Sequence, residues 1–193
     1  MGPLYEINEY EKNDGTKVLE YKPWSVGASR YAMLQGSPQP ISMTIKAVIV
    51  PHTIQGAQLP QYVSSQGAVV GGCILDTGAH TSIVALDWAQ ASGFTVSNAK
   101  MQQRIGGKSE TLRPISDEVR VFFVADEGAD VVIKARFCAV EGWDWPPLLG
   151  VRGCLNRLRL ALEPWSESEG LLRFAPRGDT ATPSSGAQAP RRS

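Results

Sequence analysis

The sequence predicts a mostly-β domain of short strands with one or two short helices. Short runs of alternating or wholly apolar residues recur along the chain, and turn residues such as Gly, Pro, Asn and Asp separate them, as is typical of strands. Helical spacing is confined to a few short stretches. With 193 residues, 42% of them hydrophobic and 20% charged, the chain is long enough to bury one good core. It contains no internal repeat.

Composition argues against several classes of partner. The formal net charge is zero, so there is no electrostatic reason to expect binding to nucleic acid or to an anionic membrane. No apolar run approaches the length of a membrane span, and the first residues lack the basic segment and apolar core of a signal peptide. A cytoplasmic location is therefore expected.

Cysteine and histidine usage predicts no metal site, and no cofactor is expected. Cys73, Cys138 and Cys154 are odd in number, lack metal-ligand spacing and stand in apolar surroundings, so buried free thiols are expected rather than a disulfide framework. Free thiols favour a reducing compartment. The only two histidines, His52 and His80, are too few for a typical zinc site.

The first part of the chain, residues 1–40, predicts an N-terminal extension. Part-apolar runs at residues 5–10 and 18–21 flank an Asp14-Gly15 pair, which is a hairpin signal. Whether this extension is a pro-segment, an inhibitory segment or a structural element stays open.

Two strands then lead to the most informative stretch. Residues 41–50 alternate and then become fully apolar, which predicts a strand that is half exposed first and buried later. Residues 51–66 form a polar loop long enough to be an insertion. Residues 67–75 predict the next strand, and Asp76 follows it directly.

Downstream, short strands are interspersed with helical stretches. Residues 85–91 have helical spacing and are closed by Gly93, and residues 153–158 predict a helical turn or two. A loop containing Gly128 joins two strands as a hairpin. Strands are predicted at residues 94–96, 118–124, 130–140, 159–163 and 171–174.

The stretch after Leu75 carries the clearest chemical signal. The apolar strand runs directly into Asp76-Thr77-Gly78, although burial disfavours the charged form of a carboxylate. Thr77 supplies a hydroxyl, and Gly78 allows the backbone to fold tightly beside the carboxylate. This pattern predicts a turn that holds a carboxylate at the floor of a cleft. An ordinary solvated turn is the alternative.

Two further features follow in order. Residues 101–112 are polar on both faces and contain Gly106-Gly107, which suits a two-residue hairpin turn with positive φ. Such an arm cannot be core, so it is expected to project from the body; a surface hairpin without function is the alternative. Later, residues 148–150 form a short apolar run that ends in glycine.

Taken in order, these features resemble the retropepsin-like aspartic proteases, especially their cellular, non-viral members. The resemblance covers roughly residues 41–175 and lies in Asp-Thr-Gly-Ala at residues 76–79, in Ile105-Gly106-Gly107, and in Leu-Leu-Gly at residues 148–150. It implies a closed β-barrel or sandwich with a flap hairpin, acting as a homodimer. Residues 176–193 have the composition of a disordered tail.

The resemblance also implies roles for individual residues. Asp76, Thr77 and Gly78 would be catalytic: Thr77 would hydrogen-bond across the dimer beneath the carboxylates, and Gly78 would present backbone to the substrate. The substrate-binding residues would be Ala79, His80, Ile105, Gly106, Gly107 and Leu149. For His80, a polar rim position without a special role is the alternative, and Leu149 needs only to pack under the Asp76 loop.

Departures from the family pattern bear on subsites and dimer geometry. Val151 stands where many relatives have Arg, and Cys154 and Asn156 stand where an aromatic residue and an acid are common. His80 replaces an acidic or small polar residue.

Carboxylate chemistry predicts how such a site would work. Peptide hydrolysis needs two carboxylates around one water, one to accept its proton and one to polarise the carbonyl, and two so close together cannot both ionise. The chain has one Asp-Thr-Gly and is too short for two lobes, so the second Asp76 is expected from another copy in a symmetric dimer.

The predicted function is therefore that of an aspartic endopeptidase acting on an extended peptide or protein. A catalytically silent retropepsin-fold module for dimerisation or peptide binding is one alternative. A non-proteolytic β-barrel in which Asp76 caps a turn is the other.

Overall fold

A computed structural model describes residues 5–11, 17–23, 27–33, 43–52, 71–164 and 169–177, and this part of the chain is mostly β, as predicted. Within the described ranges, one α-helix, α1 (Leu86–Ala91), and one 3₁₀ turn, Leu155–Arg157, interrupt the strands. The strands are β1 (Tyr5–Glu11), β2 (Lys17–Pro23), β3 (Gly27–Met33), β4 (Met43–Pro51), β5 (Gly71–Leu75), β6 (Ser82–Ala85), β7 (Met101–Ile105), β8 (Lys108–Pro114), β9 (Val119–Phe123), β10 (Glu127–Gly128), β11 (Val131–Ala135), β12 (Phe137–Val140), β13 (Leu148–Leu149), β14 (Leu158–Pro164) and β15 (Glu169–Pro176).

Most of these strands belong to one mixed sheet. Its neighbours run in the order β14-β15-β3-β4-β5-β13-β6-β12-β8-β7, with β10 beside β3 and with β9 joining β4 to β11. Two pairs are parallel, β13 with β5 and β12 with β6, and the remaining pairs are antiparallel. The two parallel pairs surround the turn that carries Asp76.

The predicted N-terminal hairpin is confirmed, but β3, which also lies in the predicted extension, belongs to the main sheet. β1 and β2 pair with each other, with Tyr5 opposite Pro23, while the Asp14-Gly15 turn lies outside the described residues. β3 falls inside the predicted extension yet pairs with β4 and β15. A side chain at Gly27 would collide with the Ala129 carbonyl oxygen, so β3 is tightly enclosed. The predicted boundary at residue 40 therefore cuts through the sheet.

Three other strand predictions need correction. The predicted strand at residues 130–140 is two strands, because the chain breaks at Arg136, whose N–H donates to the Gly153 carbonyl at 3.1 Å. The predicted strand at residues 94–96 is only a single bridge between Val96 and Ile115. The loop after β9 contains β10, which pairs with β3.

The helices and the last strands are confirmed. α1 ends just before Ser92, and Gly93 has a φ of +78°, which suits glycine. β14 and β15 form the final antiparallel pair. Of the predicted loop and tail, residues 53–66 and 178–193 lie outside the described part of the chain. No helix in the described ranges is long and apolar enough to cross a membrane.

The largest buried cluster lies directly beneath the Asp76 turn. It joins side chains from β4, β5, β13 and β15, among them Ile45, Leu75, Leu149 and Phe174. Each such side chain stabilises the fold by about 2 kcal/mol relative to full exposure. All three cysteines are free and buried, which confirms the prediction of free thiols.

Candidate active site

Asp76 is the first residue beyond β5, and its own loop fixes its carboxylate. Oδ1 accepts the backbone N–H of Gly78 at 2.8 Å and that of Ala79 at 3.1 Å. Such bonds to a charged acceptor are strong and set its orientation. A Cβ on Gly78 would lie only 3.2 Å from Oδ1, so a side chain there would crowd the carboxylate. The half-buried Asp76 side chain is held rigidly with one oxygen engaged.

A distant segment inserts between the two strands that flank this turn. Leu148 of β13 lies opposite Ile74 of β5 in parallel register and opposite Ile83 of β6 in antiparallel register. The Asp76 N–H donates to the Leu149 carbonyl at 3.1 Å. A two-residue strand is thus enough to tie both sides of the turn together.

The residues that follow β13 fasten the far side of the same loop. We call residues 76–81 the Asp76 loop and residues 148–152 the crossing segment. The Val151 N–H donates to the Ala79 carbonyl and the Arg152 N–H to the His80 carbonyl, both at 2.8 Å. The Asp76 loop is therefore held along its length by backbone bonds to one segment.

Gly150 is the point of closest approach between the crossing segment and the Asp76 loop. A Cβ built on it would lie 2.6 Å from both the carbonyl carbon and the carbonyl oxygen of Thr81. Both are backbone atoms, so a side chain has no room without moving the chain. Glycine at this position is required by packing, which explains the glycine that ends the apolar run.

The predicted hairpin is confirmed and lies beside the Asp76 loop. β7 and β8 pair up to Ile105 opposite Lys108, and Gly106 and Gly107 form the turn with φ of +56° and +85°. The Thr81 hydroxyl donates to Gln103 Oε1 at 3.1 Å. Because side chains alternate along a strand, Gln103 and Ile105 share the face toward the Asp76 loop.

A cavity of about 220 Å³ lies between the hairpin and the Asp76 loop. Six of the predicted site residues line it, namely Asp76, Gly78, Ala79, His80, Ile105 and Gly106. Thr77 and Gly107 are exposed beside it. Four further residues, Thr81, Ile83, Gln103 and Arg104, also line it. Side chains two residues apart along a strand share a face. This alternation along β7 and β6 could have revealed from the sequence that Gln103 and Ile83 line the cavity.

Leu149 does not belong to the cleft wall, and its predicted place among the substrate-binding residues needs correction. Its side chain is 0% exposed and packs in the main core, so it has no surface to offer a ligand. Its contribution is the carbonyl that accepts the Asp76 N–H. Leu149 therefore supports the site from below, which is the packing role that the sequence also suggested.

The layer beneath the carboxylate is apolar and uncharged at neutral pH. Cys73 of β5 and Cys154 are both 0% exposed. Burial raises the pKa of each thiol to about 12, because a thiolate would be poorly solvated there. Asp76 is thus the acidic group of the cleft lining, alongside the polar or basic side chains of His80, Gln103 and Arg104.

No protein-family model matches this chain, and no curated protein matches it significantly. The function must therefore be inferred from the Asp76 loop, the crossing segment and the hairpin.

Proposed function

We propose that this chain is an aspartic endopeptidase of retropepsin-like architecture that acts as a symmetric homodimer, with one Asp76 from each subunit. The observation that carries the proposal is the fixed carboxylate at the floor of a cleft roofed by a Gly-Gly hairpin. Oδ1 is held by two loop amides, while Oδ2 has no hydrogen-bond partner among the described residues. An oriented carboxylate with one unengaged oxygen suits a group that binds a reactant.

The reaction would use the two Asp76 carboxyl groups and one water. The two carboxyl groups share a single proton, so one of them is ionised. This carboxylate takes a proton from the water while the oxygen of the water bonds to the peptide carbonyl carbon. The protonated carboxyl group gives its proton to the carbonyl oxygen. The tetrahedral diol then collapses: one of its hydroxyl groups returns a proton to the Asp76 that is now ionised, the C–N bond breaks, and the nitrogen takes the proton held by the other Asp76. A carboxylic acid and an amine leave, and the pair again holds one proton.

The substrate would be an extended peptide. A cleft between a hairpin and a loop presents backbone groups on both sides, so a strand-like ligand can bind through its main chain while pockets select side chains. Ala79 and Ile105 pack against the buried cluster that contains Ile83, and they provide an apolar wall close to Asp76. The hairpin would close over the peptide and exclude water.

The need for a second carboxylate makes activity depend on assembly. The chain has a single Asp-Thr-Gly, so a monomer would hold only half of the catalytic pair. Activity per chain would fall when the protein concentration is lowered past the dissociation constant of the dimer.

The second candidate is a catalytically silent module for dimerisation or peptide binding. The two bonds to Oδ1 favour it as well, since they would equally suit a carboxylate that only caps its own loop. The cleft and hairpin could then hold a peptide without cutting it.

Cleavage by matched variants tests the proposal. Wild type, Asp76→Asn and the control Asp87→Asn would be incubated with a diverse peptide mixture between about pH 4 and about pH 8, at several protein concentrations. Asp87 is an exposed acid in α1 whose carboxylate accepts the adjacent Trp88 N–H at 2.8 Å and no other hydrogen bond from the described residues. Products would be read by mass spectrometry, and oligomeric state by sedimentation.

We expect Asp76→Asn to lose roughly 10³-fold or more in rate, while Asp87→Asn matches wild type. Wild-type cleavage should also drop steeply on dilution. A dimeric wild type that binds peptides but cleaves none would favour the silent module, and a cleaving monomer would refute the shared pair of carboxylates.

A further inference from the structure

Ser82, the first residue of β6, is a fully buried polar residue next to the Asp76 loop. Its side chain is 0% exposed. A hydroxyl in such a place is costly unless its hydrogen bonds are satisfied. Valine would fit a buried strand position at least as well on propensity alone, so the hydroxyl calls for a reason.

The Ser82 hydroxyl contacts the crossing segment. Oγ accepts the buried N–H of Gly150 at 3.0 Å. Pairing of β13 with β6 is confined to Leu148 opposite Ile83. At Gly150, therefore, a side chain supplies the acceptor that a strand neighbour would otherwise provide.

This hydrogen bond acts on the same peptide group that holds Asp76. The Gly150 N–H and the Leu149 carbonyl belong to one planar peptide unit. Ser82 engages the N–H end of this unit, and the Asp76 N–H engages the carbonyl end at 3.1 Å. The three groups form a buried chain of hydrogen bonds, in which each bond polarises and orients the next.

We propose that Ser82 is a positioning residue for Asp76, because its hydroxyl fixes the Leu149–Gly150 peptide plane that anchors the Asp76 backbone. The catalytic consequence rests on the proposed protease function. The structural consequence does not: without the hydroxyl, the Gly150 N–H loses its acceptor, and the peptide plane that accepts the Asp76 N–H is held less firmly.

Three substitutions at Ser82 separate the hydroxyl from the volume of the side chain. Ser82→Ala removes the hydroxyl, Ser82→Thr keeps it, and Ser82→Val has the size of threonine without it. Ser29→Ala is the matched control, because Ser29 is also 0% exposed but bonds Asp126 in another part of the sheet at 3.3 Å.

For the catalytic readout, kcat per folded dimer and KM would be measured for each variant. We expect Ser82→Ala and Ser82→Val to lose about tenfold or more in kcat with KM within about threefold, and Ser82→Thr to retain wild-type kcat. Ser29→Ala should keep both constants even where its stability falls. Wild-type kcat in Ser82→Val, or equal losses in Ser82→Thr and Ser82→Val, would overturn the proposal.

A second readout needs no activity, so it stands even if the chain is not a protease. In wild type, the Asp76 and Gly150 amides should exchange hydrogen with similar protection, because both open when one peptide plane moves. In Ser82→Val, the Asp76 amide should exchange at least about tenfold faster, with Ser82→Thr as the rescued variant. Unlinked protection of the two amides in wild type would refute the positioning role even if no variant folds.

Discussion

The two sides of the cleft are built by different means. The Asp76 loop is held by the crossing segment, about 70 residues away in sequence, through three backbone bonds and an insertion between two strands. Ser82, directly after the loop, adds a side-chain bond to Gly150. The hairpin of β7 and β8 is bonded mainly within itself. Its outer turn at Gly106-Gly107 has no atom within 4 Å of where a Cβ would stand.

We call the Asp76 loop together with the crossing segment the floor of the cleft, and the hairpin of β7 and β8 its roof. The difference in bonding predicts a rigid floor and a more mobile roof. Local stability follows burial and the number of non-local contacts. The Asp76 loop is bonded to a distant segment whose residues 148–150 are buried, whereas the hairpin tip is exposed and bonded within its own hairpin. The hairpin meets the body where β8 pairs with β12 and through the bond between Thr81 and Gln103. A cleft of this kind keeps the Asp76 carboxylate still while its cover can open.

Hydrogen exchange should show the largest contrast between floor and roof. We expect the Asp76 and Val151 amides to be strongly protected. Opening of the Ile105 and Lys108 amides at the tip should cost at least about 3 kcal/mol less free energy, so that they exchange more than about a hundredfold faster. Native-state exchange by NMR measures both sets together. Equal protection in the two regions would end the distinction between floor and roof.

Gly150→Ala should damage the floor more than any single change damages the roof. The new Cβ meets the Thr81 backbone at 2.6 Å, and backbone cannot give way as a side chain can. We expect a loss of about 3 kcal/mol in the free energy of unfolding, measured by urea denaturation. A loss below about 1 kcal/mol would mean that the crossing is less tight than its geometry indicates.

Gly106→Ala or Gly107→Ala should cost only about 1 kcal/mol each, because the penalty comes from positive φ alone. Gly106→Asn serves as the control, since asparagine tolerates this turn conformation, and it should be nearly neutral. Urea denaturation measures all three variants beside Gly150→Ala. A loss in the hairpin as large as that of Gly150→Ala would show that the roof is as constrained as the floor.

The buried thiols affect stability only in alkaline solution, and they have no effect at neutral pH. Burial raises the folded-state pKa of Cys73 and Cys154 from 9.0 to about 12, so unfolded thiols ionise first. The stability they contribute is complete below about pH 9 and is lost as pH rises toward 12, by about 1 kcal/mol per thiol and pH unit. Cys73→Ala should flatten that slope in urea titrations above about pH 9.

The rate of thiol alkylation compares the accessibility of Cys138, which lies on the hairpin side, with that of the two thiols under the floor. Cys138, opposite Pro114 of β8, is 6% exposed, against 0% for the two thiols under the floor. Native Cys138 should react roughly tenfold faster than either of them. Mass spectrometry of partly alkylated protein would report the order, and a faster Cys73 would contradict it.

Local patterns in the sequence were sufficient for much of this fold. Alternation identified β4 and β14, Gly106-Gly107 identified the hairpin turn, and Gly93 marked the end of α1. The Asp76 turn was visible because a charged residue directly after a buried strand is unusual. Each of these signals depends on residues close together in the chain.

Features that depend on distant segments were not visible in the sequence. The strand break at Arg136 follows from its bond to Gly153, and the buried place of Leu149 follows from the insertion of β13 between β5 and β6. β3 joined the main sheet through β15, which lies near the other end of the described chain. The role of Ser82 could not be read from sequence, because serine in a strand has no distinctive pattern until its partner is known.

The insertion of β13 also fixes when the floor can exist during synthesis and folding. β5 and β6 emerge early in the chain, but the Leu149 carbonyl that anchors Asp76 lies more than 70 residues further on. A nascent chain that stops before Gly150 holds the Asp-Thr-Gly sequence without its support. The Asp76 turn can therefore take its described form only after most of the described sheet has been synthesised.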